Sequence, residues 1–526
     1  MLKSGAEILI SELMRNNVTK LFGYPGGSIL SVYDALYGKD SIEHVLSVDE
    51  RGAVFMADGY ARSSGKTGVC MATSGPGATN LVTGIASAFM DSIPLVIITG
   101  NVQIDTLGHD GFQEVDTTGI TMPVTKYNYI VKDINDLGYI VNEAFALAQS
   151  GRKGPVLIDI PANILDETCA YSYRKPSVKK PSSVSADEIA RAAQIINESV
   201  KPLIYVGGGV VGSGTSDLAV KLAEKLNAPV GVSLMGIGGV PSSHPNFIGT
   251  GTSINLTAKE ALRECDVFIS LGARFSNKAT EKSLYRRTTK LVHLDIDKAE
   301  IGKILTAEAG VCGDLTQSLP MLIDSVSAKS GGWLNKILKS KANNSYALTV
   351  PNCYIKCLNE HFGRGQVVTT DVGQHQLWVA NYYEFDKPRR FLSSCGLGAM
   401  GYGLGAAIGA YFAAGERPLM ITGDGSFNMN FNELLTVKEY NIPVVIAVMN
   451  NKTLGMIRET QSKNYKGRYI DSDLKESVDY KLLASAFGID GYVAKTPGEL
   501  EVILKELPKD KPAVIDCRVG KNEKAL

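Results

Sequence analysis

The chain lacks an excess of either charge: 54 Lys and Arg stand against 54 Asp and Glu over 526 residues, and the formal net charge is zero. Such a balance builds no broad basic field, which speaks against nucleic acid or an anionic membrane surface as a partner. Long apolar runs are missing too. Although 44% of the residues are hydrophobic, no run approaches the roughly 20 residues that span a bilayer. Charged residues interrupt the apolar ones over Met1–Leu13, so a signal peptide is not expected. The cysteines do not cluster: they stand at 70, 169, 265, 312, 353, 357, 395 and 517. Only Cys353 and Cys357 are close, at a spacing that shares one helix face, and two packed thiols are expected there rather than a metal site. The pattern suits a reducing compartment, and a soluble cytoplasmic protein is the expectation. Short tandem repeats are absent.

What the chain does have is alternation. Short β-branched runs alternate with helical patterns from end to end, which predicts α/β architecture and parallel sheets. Strands are expected near Val45–Val48, Val69–Ala72, Leu95–Thr99 and Val156–Ile160, then near Leu203–Val206, Val230–Ser233, Val267–Leu271 and Leu291–Asp295. The last third repeats the rhythm near Val367–Thr370, Leu419–Thr422, Val444–Met449 and Ala513–Asp516. Tyr171–Ser183 is basic and rich in Pro and Ser, Ser325–Ser345 is polar, and both read as linkers. The chain is too long for one core. The expected fold is three doubly wound parallel-sheet domains over 1–170, 186–325 and 346–526.

Chemistry concentrates in the last of these. The buried-strand run Leu419–Thr422 leads into Gly423-Asp424-Gly425-Ser426-Phe427, and the run Val444–Met449 leads into Asn450-Asn451. Parallel strands bring both ends to one sheet edge, where ligands of doubly wound folds bind. Asp424 and Asn451 lie about one β–α–β repeat apart, so their oxygens can converge. One carboxylate with one amide oxygen is a sparse, hard-oxygen set that suits Mg²⁺, which completes its octahedron with water and phosphate oxygens. Gly423 and Gly425 let the backbone approach a diphosphate, and a following helix start would offer free N–H groups.

This GDG followed by NN resembles the diphosphate–Mg²⁺ motif of the thiamine-diphosphate enzymes. The resemblance implies that Asp424, Asn451 and the backbone carbonyl of Thr453 hold the metal. It also gives a role to Glu50, which ends the run Val45–Asp49 and precedes the helical stretch Gly52–Arg62. Alone, Glu50 would read as a surface carboxylate. In the family, a Glu in this context bonds the aminopyrimidine nitrogen and promotes the imino tautomer that deprotonates the thiazolium carbon. The family shares its site between the pyrimidine-binding domain of one chain and the diphosphate domain of another, which implies a homodimer or a homotetramer.

Within that superfamily the chain is similar to the acetolactate synthase large subunits along nearly its whole length. The matching stretches are Phe22–Leu30, Thr73–Asn80, Phe89–Pro94, Gly111–Asp116, His293–Lys303, Asp371–Trp378 and Leu397–Leu404. The resemblance implies that Gly27 helps form an oxyanion site and that Phe112 and Gln113 line the reaction pocket. It places Gln374, His375 and Ser426 on the diphosphate, Met400 under the bent cofactor and Met456 beside it. Without this context His375 would read as one polar loop residue and Met400 as core.

Other stretches depart from the family pattern. Arg274-Phe275-Ser276-Asn277-Lys278 stands where a flavin-binding relative would carry RFDDR, and Met-His-Gly is missing from Gly249–Asn255. Thr460 replaces the Trp expected after Gly455-Met456, and Pro161-Ala162-Asn163 replaces Pro-Lys-Asp. The Pro-Met-Val-Pro tail of the relatives does not follow the last strand. With Gly207-Gly208-Gly209 on one side and RFSNK on the other, FAD, an ADP-like nucleotide and no ligand all stay open for the middle domain.

The expected function is a thiamine-diphosphate- and Mg²⁺-dependent carboligase that decarboxylates a 2-oxo acid, pyruvate first, and joins the remaining two-carbon unit to a second carbonyl. A second reading keeps the donor and changes the acceptor to an aldehyde, a ketosugar or phosphate, which the smaller Thr460 favours. A third is a cofactor-binding subunit without activity, against which Glu50, Asp424 and Asn451 stand. The presence of a regulatory small subunit is left open.

Overall fold

The computed structural model describes residues 2–177, 183–251, 255–276, 285–286, 288–344, 348–475 and 478–525. Three six-stranded sheets, each parallel throughout, follow one another along the chain. A small antiparallel pair, Leu2–Ser4 with Thr168–Ala170, joins the two ends of the first third.

The first sheet lays Glu43–Leu46, Lys20–Gly23, Gly68–Ala72, Leu95–Asn101, Val156–Pro161 and Tyr127–Ile130 side by side. The last sheet lays Phe391–Ser393, Val368–Thr370, Leu419–Gly423, Val445–Asn450, Ala513–Arg518 and Asp490–Ala494 in the same relative order. Counted from each sheet's own start, that order is second, first, third, fourth, sixth, fifth. The middle sheet differs. Its strands Phe247–Thr250, Val230–Val232, Pro202–Val206, Val267–Leu271, Lys290–Asp295 and Ala309–Cys312 run third, second, first, fourth, fifth, sixth.

Helices on both faces bury the central strands, which is why those strands read as continuous apolar runs: every residue of Val445–Asn450 is buried. The edge strands Tyr127–Ile130 and Asp490–Ala494 are only partly covered and keep polar residues, so they carry no such signal in the sequence. The helices follow their own period. Ala186–Glu198 starts at Ser185, whose side chain accepts the Glu188 N–H, and buries Ile189, Ala192, Ala193 and Ile196 on one face.

The expected linkers differ in outcome. Tyr171–Ser177 has no regular structure, and residues 178–182 of that stretch lie outside the described residues. Ser325–Ser345 is not a plain linker. It holds the helix Trp333–Asn343, because Trp333, Leu334 and Ile337 make an apolar face, and the Trp333 indole donates to the Pro202 carbonyl at 2.9 Å.

The first and last domains share one core. Val54, Met56 and Ile85 pack in a single apolar cluster with Leu404, Ile408 and Val437. Helices Glu50–Ser64 and Gly403–Ala414 cross there at backbone contact: a Cβ at Gly409 would stand 1.9 Å from the Met56 carbonyl oxygen. Only glycine permits that approach. Among the described residues, no helix is long and apolar enough to cross a membrane.

Candidate active site

In the last sheet the strand order reverses between Val368–Thr370 and Leu419–Gly423, and the carboxyl ends of strands at such a switch point are where doubly wound folds bind ligands. Parallel pairing sets Gly423 opposite Met449, so Asp424 and Asn451 leave neighbouring strand ends. Asp424 is buried. Its Oδ1 accepts the Gly425 N–H at 2.9 Å, and its Oδ2 is buried with no hydrogen-bond partner. Burial pushes the carboxyl up to about 6, against the backbone N–H groups of Gly425 and Lys452, which pull it down. The Lys452 contact sets this carboxylate against the Asn451–Thr453 turn.

That turn is held from within. The Asn451 Oδ1 accepts the Thr453 N–H at 3.0 Å and the Thr453 hydroxyl at 2.9 Å, while its amide donates to the Gln374 Oε1 at 3.0 Å. Gln374 and His375 open the helix Gln374–Tyr382, which enters from the first strand of the sheet. The His375 Nε2 is buried without a partner, and burial lowers its pKa to about 4, so the ring is neutral near pH 7. The Asn450 Oδ1 is likewise buried and free. A free acid oxygen, a free amide oxygen and a free imidazole nitrogen thus stand at the carboxyl ends of three strands of one sheet, the oxygens of a kind that suits Mg²⁺ and the imidazole of a kind that can bond a diphosphate oxygen. Among the described residues no three His, Cys, Asp or Glu side chains are placed to hold a metal, and His361 merely continues the four-residue step of Cys353 and Cys357 along the helix Val350–Phe362.

The glycines of the motif also make room for protein side chains: a Cβ at Gly423 would lie 2.9 Å from the His375 Nδ1, and one at Gly425 would lie 2.6 Å from the Leu454 Cδ2. The helix after Gly423 is also short. Asp424–Phe427 makes one turn, a 3-10 turn follows at Phe431–Glu433, and Leu434–Glu439 completes the crossover. Ser426 is buried and its hydroxyl donates to the Val372 carbonyl at 3.1 Å. Met400 is half-buried and its Cε lies 4.0 Å from the Cβ position of Gly425. Met456 is half-buried in the helix Gly455–Asn464, and Thr460 on that helix is exposed, its hydroxyl donating to the Met456 carbonyl at 2.9 Å. Residues 523–525 fold back over this rim: the Gln374 amide donates to the Glu523 carbonyl at 2.7 Å, and the Trp378 indole to that of Lys524 at 2.9 Å.

The first domain gathers a second set. Glu50 is the first residue of the helix Glu50–Ser64, whose cap is Asp49. It is buried, and its Oε2 accepts the Asn80 amide at 2.9 Å. Its Oε1 faces Gly77, where a Cβ would stand 3.1 Å away. The same loop, Thr73–Gly77, packs against Gln113, whose backbone is left-handed at φ 61, and against Gly26. Gly27 borders open space, and Phe112 is 89% exposed, a large apolar side chain with no cover in the single chain. Asn80 ends the matched Thr73–Asn80 stretch yet was given no role by the sequence; its bond to Glu50 is visible only in three dimensions. Among the described residues, no hydrogen bond joins the Glu50 set to the Asp424 set.

The middle domain offers less. Gly207-Gly208-Gly209 follows the strand Pro202–Val206, but the N–H groups of Gly207 and Gly209 already donate to the Leu271 and Gly272 carbonyls at 2.9 and 3.0 Å. A Cβ at Gly207 would stand 2.0 Å from the Gly272 oxygen, so close loop packing accounts for that glycine. Arg274 donates to the Met90 carbonyl and Phe275 is buried against Tyr205 and His293. Residues 252–254, Asn277 and Lys278 lie outside the described residues.

Comparison with known proteins agrees with this geometry. The N-terminal TPP binding domain of the thiamine pyrophosphate enzymes matches residues 3–120, their central domain matches 189–322, and their C-terminal TPP binding domain matches 371–517. The acetolactate synthase isozyme 3 large subunit of Escherichia coli is 39% identical over 526 residues, spanning 96% of this chain and 92% of its own. The acetolactate synthase large subunit of Lactococcus lactis is 37% identical, spanning 99% of this chain and 94% of its own. The probable acetolactate synthase large subunit of Methanocaldococcus jannaschii is 40% identical, with 99% and 92% covered. The chain belongs to the thiamine pyrophosphate enzymes and is an acetolactate-synthase-like member whose first and last domains are the two that bind thiamine diphosphate.

Proposed function

We propose that this enzyme decarboxylates pyruvate and transfers the remaining two-carbon unit to a second carbonyl, giving acetolactate and CO₂ when the acceptor is another pyruvate. The observation that carries this reading is the pairing of a free, buried Asp424 Oδ2 with the Asn451 turn at the sheet edge. Asp424, Asn451 and the Thr453 carbonyl would hold Mg²⁺, with Gln374, His375 and Ser426 toward the diphosphate and Met400 and Met456 toward the rings. When bound, thiamine diphosphate supplies the nucleophilic carbon and the electron sink for loss of CO₂.

The chain's own residues hold and orient. Asn80 fixes one oxygen of Glu50 and leaves Oε1 to exchange a proton with the aminopyrimidine. Gly27 leaves open space for the substrate oxygen, and Gln113 stands across the Thr73–Gly77 loop from Glu50. In this proposal a second copy supplies the missing half of each site, so a homodimer, or a homotetramer built from it, is part of the reading. Exposed Phe112 supports it, since an aromatic lining needs cover. The name large subunit on the relatives supports a small-subunit partner, and the reduced thiols support a cytoplasmic setting. The engaged N–H groups of Gly207 and Gly209 give flavin no comparable support.

A second reading concerns the acceptor. Thr460 is exposed beside Met456, and nearby Arg458 stacks on Tyr469 at 3.7 Å instead of filling the gap. That leaves room for bulkier carbonyls than pyruvate. Incubation with pyruvate, thiamine diphosphate and Mg²⁺, with and without aldehydes or ketosugars, followed by mass spectrometry of the products, tests both. Acetolactate supports the first reading and a mixed ketol the second; unconsumed pyruvate overturns both.

A further inference from the structure

Glu433 ends the 3-10 turn Phe431–Glu433 of the last domain, and it is fully buried. Most of its bonds leave that domain. The two carboxylate oxygens accept the Val48 N–H at 3.1 and 3.3 Å, and Oε1 accepts the Asp49 N–H at 3.4 Å. Oε2 also accepts the Thr436 hydroxyl at 2.7 Å. Val48 and Asp49 are the two residues before Glu50. Gly52 lies against the same carboxylate, where a Cβ would stand 1.9 Å from Oε1.

Neighbours of Glu433 grip the same stretch. The Tyr440 hydroxyl accepts the Leu46 N–H at 2.8 Å, and Arg51 donates to the Met429 carbonyl at 2.6 Å. The segment that begins at Asp424 therefore ends on the turn that presents Glu50. Extended residues just before a helix have N–H groups that the helix itself cannot satisfy. Here the other domain satisfies them, and it does so with a carboxylate that has no cationic partner among the described residues, a costly group to bury for packing alone.

We propose that Glu433 is a positioning residue for the carboligase reaction: by pinning the Val48 and Asp49 N–H groups, it sets the direction in which Glu50 meets the cofactor's pyrimidine. This rests on the reading of Glu50 as the proton partner of that ring. A glutamine at 433 keeps one acceptor oxygen, and an alanine keeps none, so the two should grade the effect.

The test uses the holoenzyme with Mg²⁺ and thiamine diphosphate, comparing parent, Glu433→Gln, Glu433→Ala and Glu50→Gln. Hydrogen–deuterium exchange at the cofactor C2 is followed by quenched-flow NMR, with cofactor affinity and thermal stability measured beside it. A displaced catalytic group costs up to about a hundredfold, so exchange should slow about tenfold in Glu433→Gln and more in Glu433→Ala. Cofactor affinity should change far less. Parent-like exchange in Glu433→Gln, with Glu50→Gln slow, overturns the positioning role, and so does a stability loss with exchange unaltered. Parent-like exchange in Glu50→Gln overturns the reading of Glu50, and this proposal with it. If Glu433→Ala does not fold, the Gln variant decides.

Discussion

The switch points of the middle and last sheets begin alike, each with glycines at the end of a buried strand where the strand order reverses. In the middle sheet the glycine loop's backbone is engaged, Gly207 and Gly209 donating to the adjoining Leu271 and Gly272 carbonyls where the two loops touch, and the unpaired buried groups nearby are two neutral hydroxyls within the strands, Tyr205 and Ser270. In the last sheet the Asp424 Oδ2, His375 Nε2 and Asn450 Oδ1 are buried with nothing to bond. Buried polar groups in a folded protein are nearly all paired. A cluster left free is therefore a stronger mark of a ligand site than a glycine pattern, which serves close packing equally well.

The largest effect should separate the two switch points outright. Asp424→Ala removes one of few proposed metal ligands, and even changes behind a ligand cost about 10–100-fold in affinity. Thiamine diphosphate affinity in Mg²⁺ should fall by at least that much by calorimetry. The ligand-free variant should melt no lower than the parent, because a buried, unpaired carboxylate is gone. Undiminished cofactor affinity would mean that the free oxygens of the last sheet mark nothing.

Gly207→Ala should do the reverse. Its Cβ would meet the Gly272 carbonyl oxygen, which is backbone and cannot swing aside. Overpacking of this kind costs about 1–3 kcal/mol, so thermal stability should drop with cofactor affinity unchanged. Weakened cofactor binding at parent stability would bring the middle loop into the site.

A smaller contrast sharpens the point at Glu433, a buried acid with both oxygens engaged where Asp424 leaves Oδ2 free. Burial pushes its carboxyl up to about 7 from the ordinary 4.5, with the Asp49 carboxylate adding to the rise. The folded protein thus holds a proton that the unfolded chain has lost. Between about pH 4.5 and 7 the native state binds more protons, so stability falls as pH rises through that window. Glu433→Gln removes the group, and its melting temperature should gain on the parent's from pH 5 to 7.5. A constant gap would show that Glu433 titrates normally.

Much of this was legible in the chain, for reasons that differ by element. Central strands such as Val445–Asn450 are buried on both faces and announce themselves as apolar runs, whereas edge strands such as Asp490–Ala494 mix polar residues and pass unseen. Trp333 and Ile337 turn a polar stretch into a helix, because two apolar residues one turn apart suffice once a neighbouring sheet covers them. Asp424 and Asn451 were legible because each follows a strong strand, and parallel pairing converts that spacing into proximity. Glu433 and Asn80 were not. An acid in a polar crossover and an amide at the end of a short helix look like surface residues, and only the packing of two domains gives them partners.

The central claim is that the Glu50 set and the Asp424 set are halves of one site completed by two copies. Co-expression of Glu50→Gln and Asp424→Ala chains in equal amounts tests it directly. Each variant alone should be nearly inactive. In a mixed dimer one of the two composite sites joins an intact Glu50 to an intact Asp424, so random pairing should restore about a quarter of the parent's acetolactate formation per chain. No recovery, with mixed dimers present by native mass spectrometry, would mean that both sets act within one chain and would contradict the account.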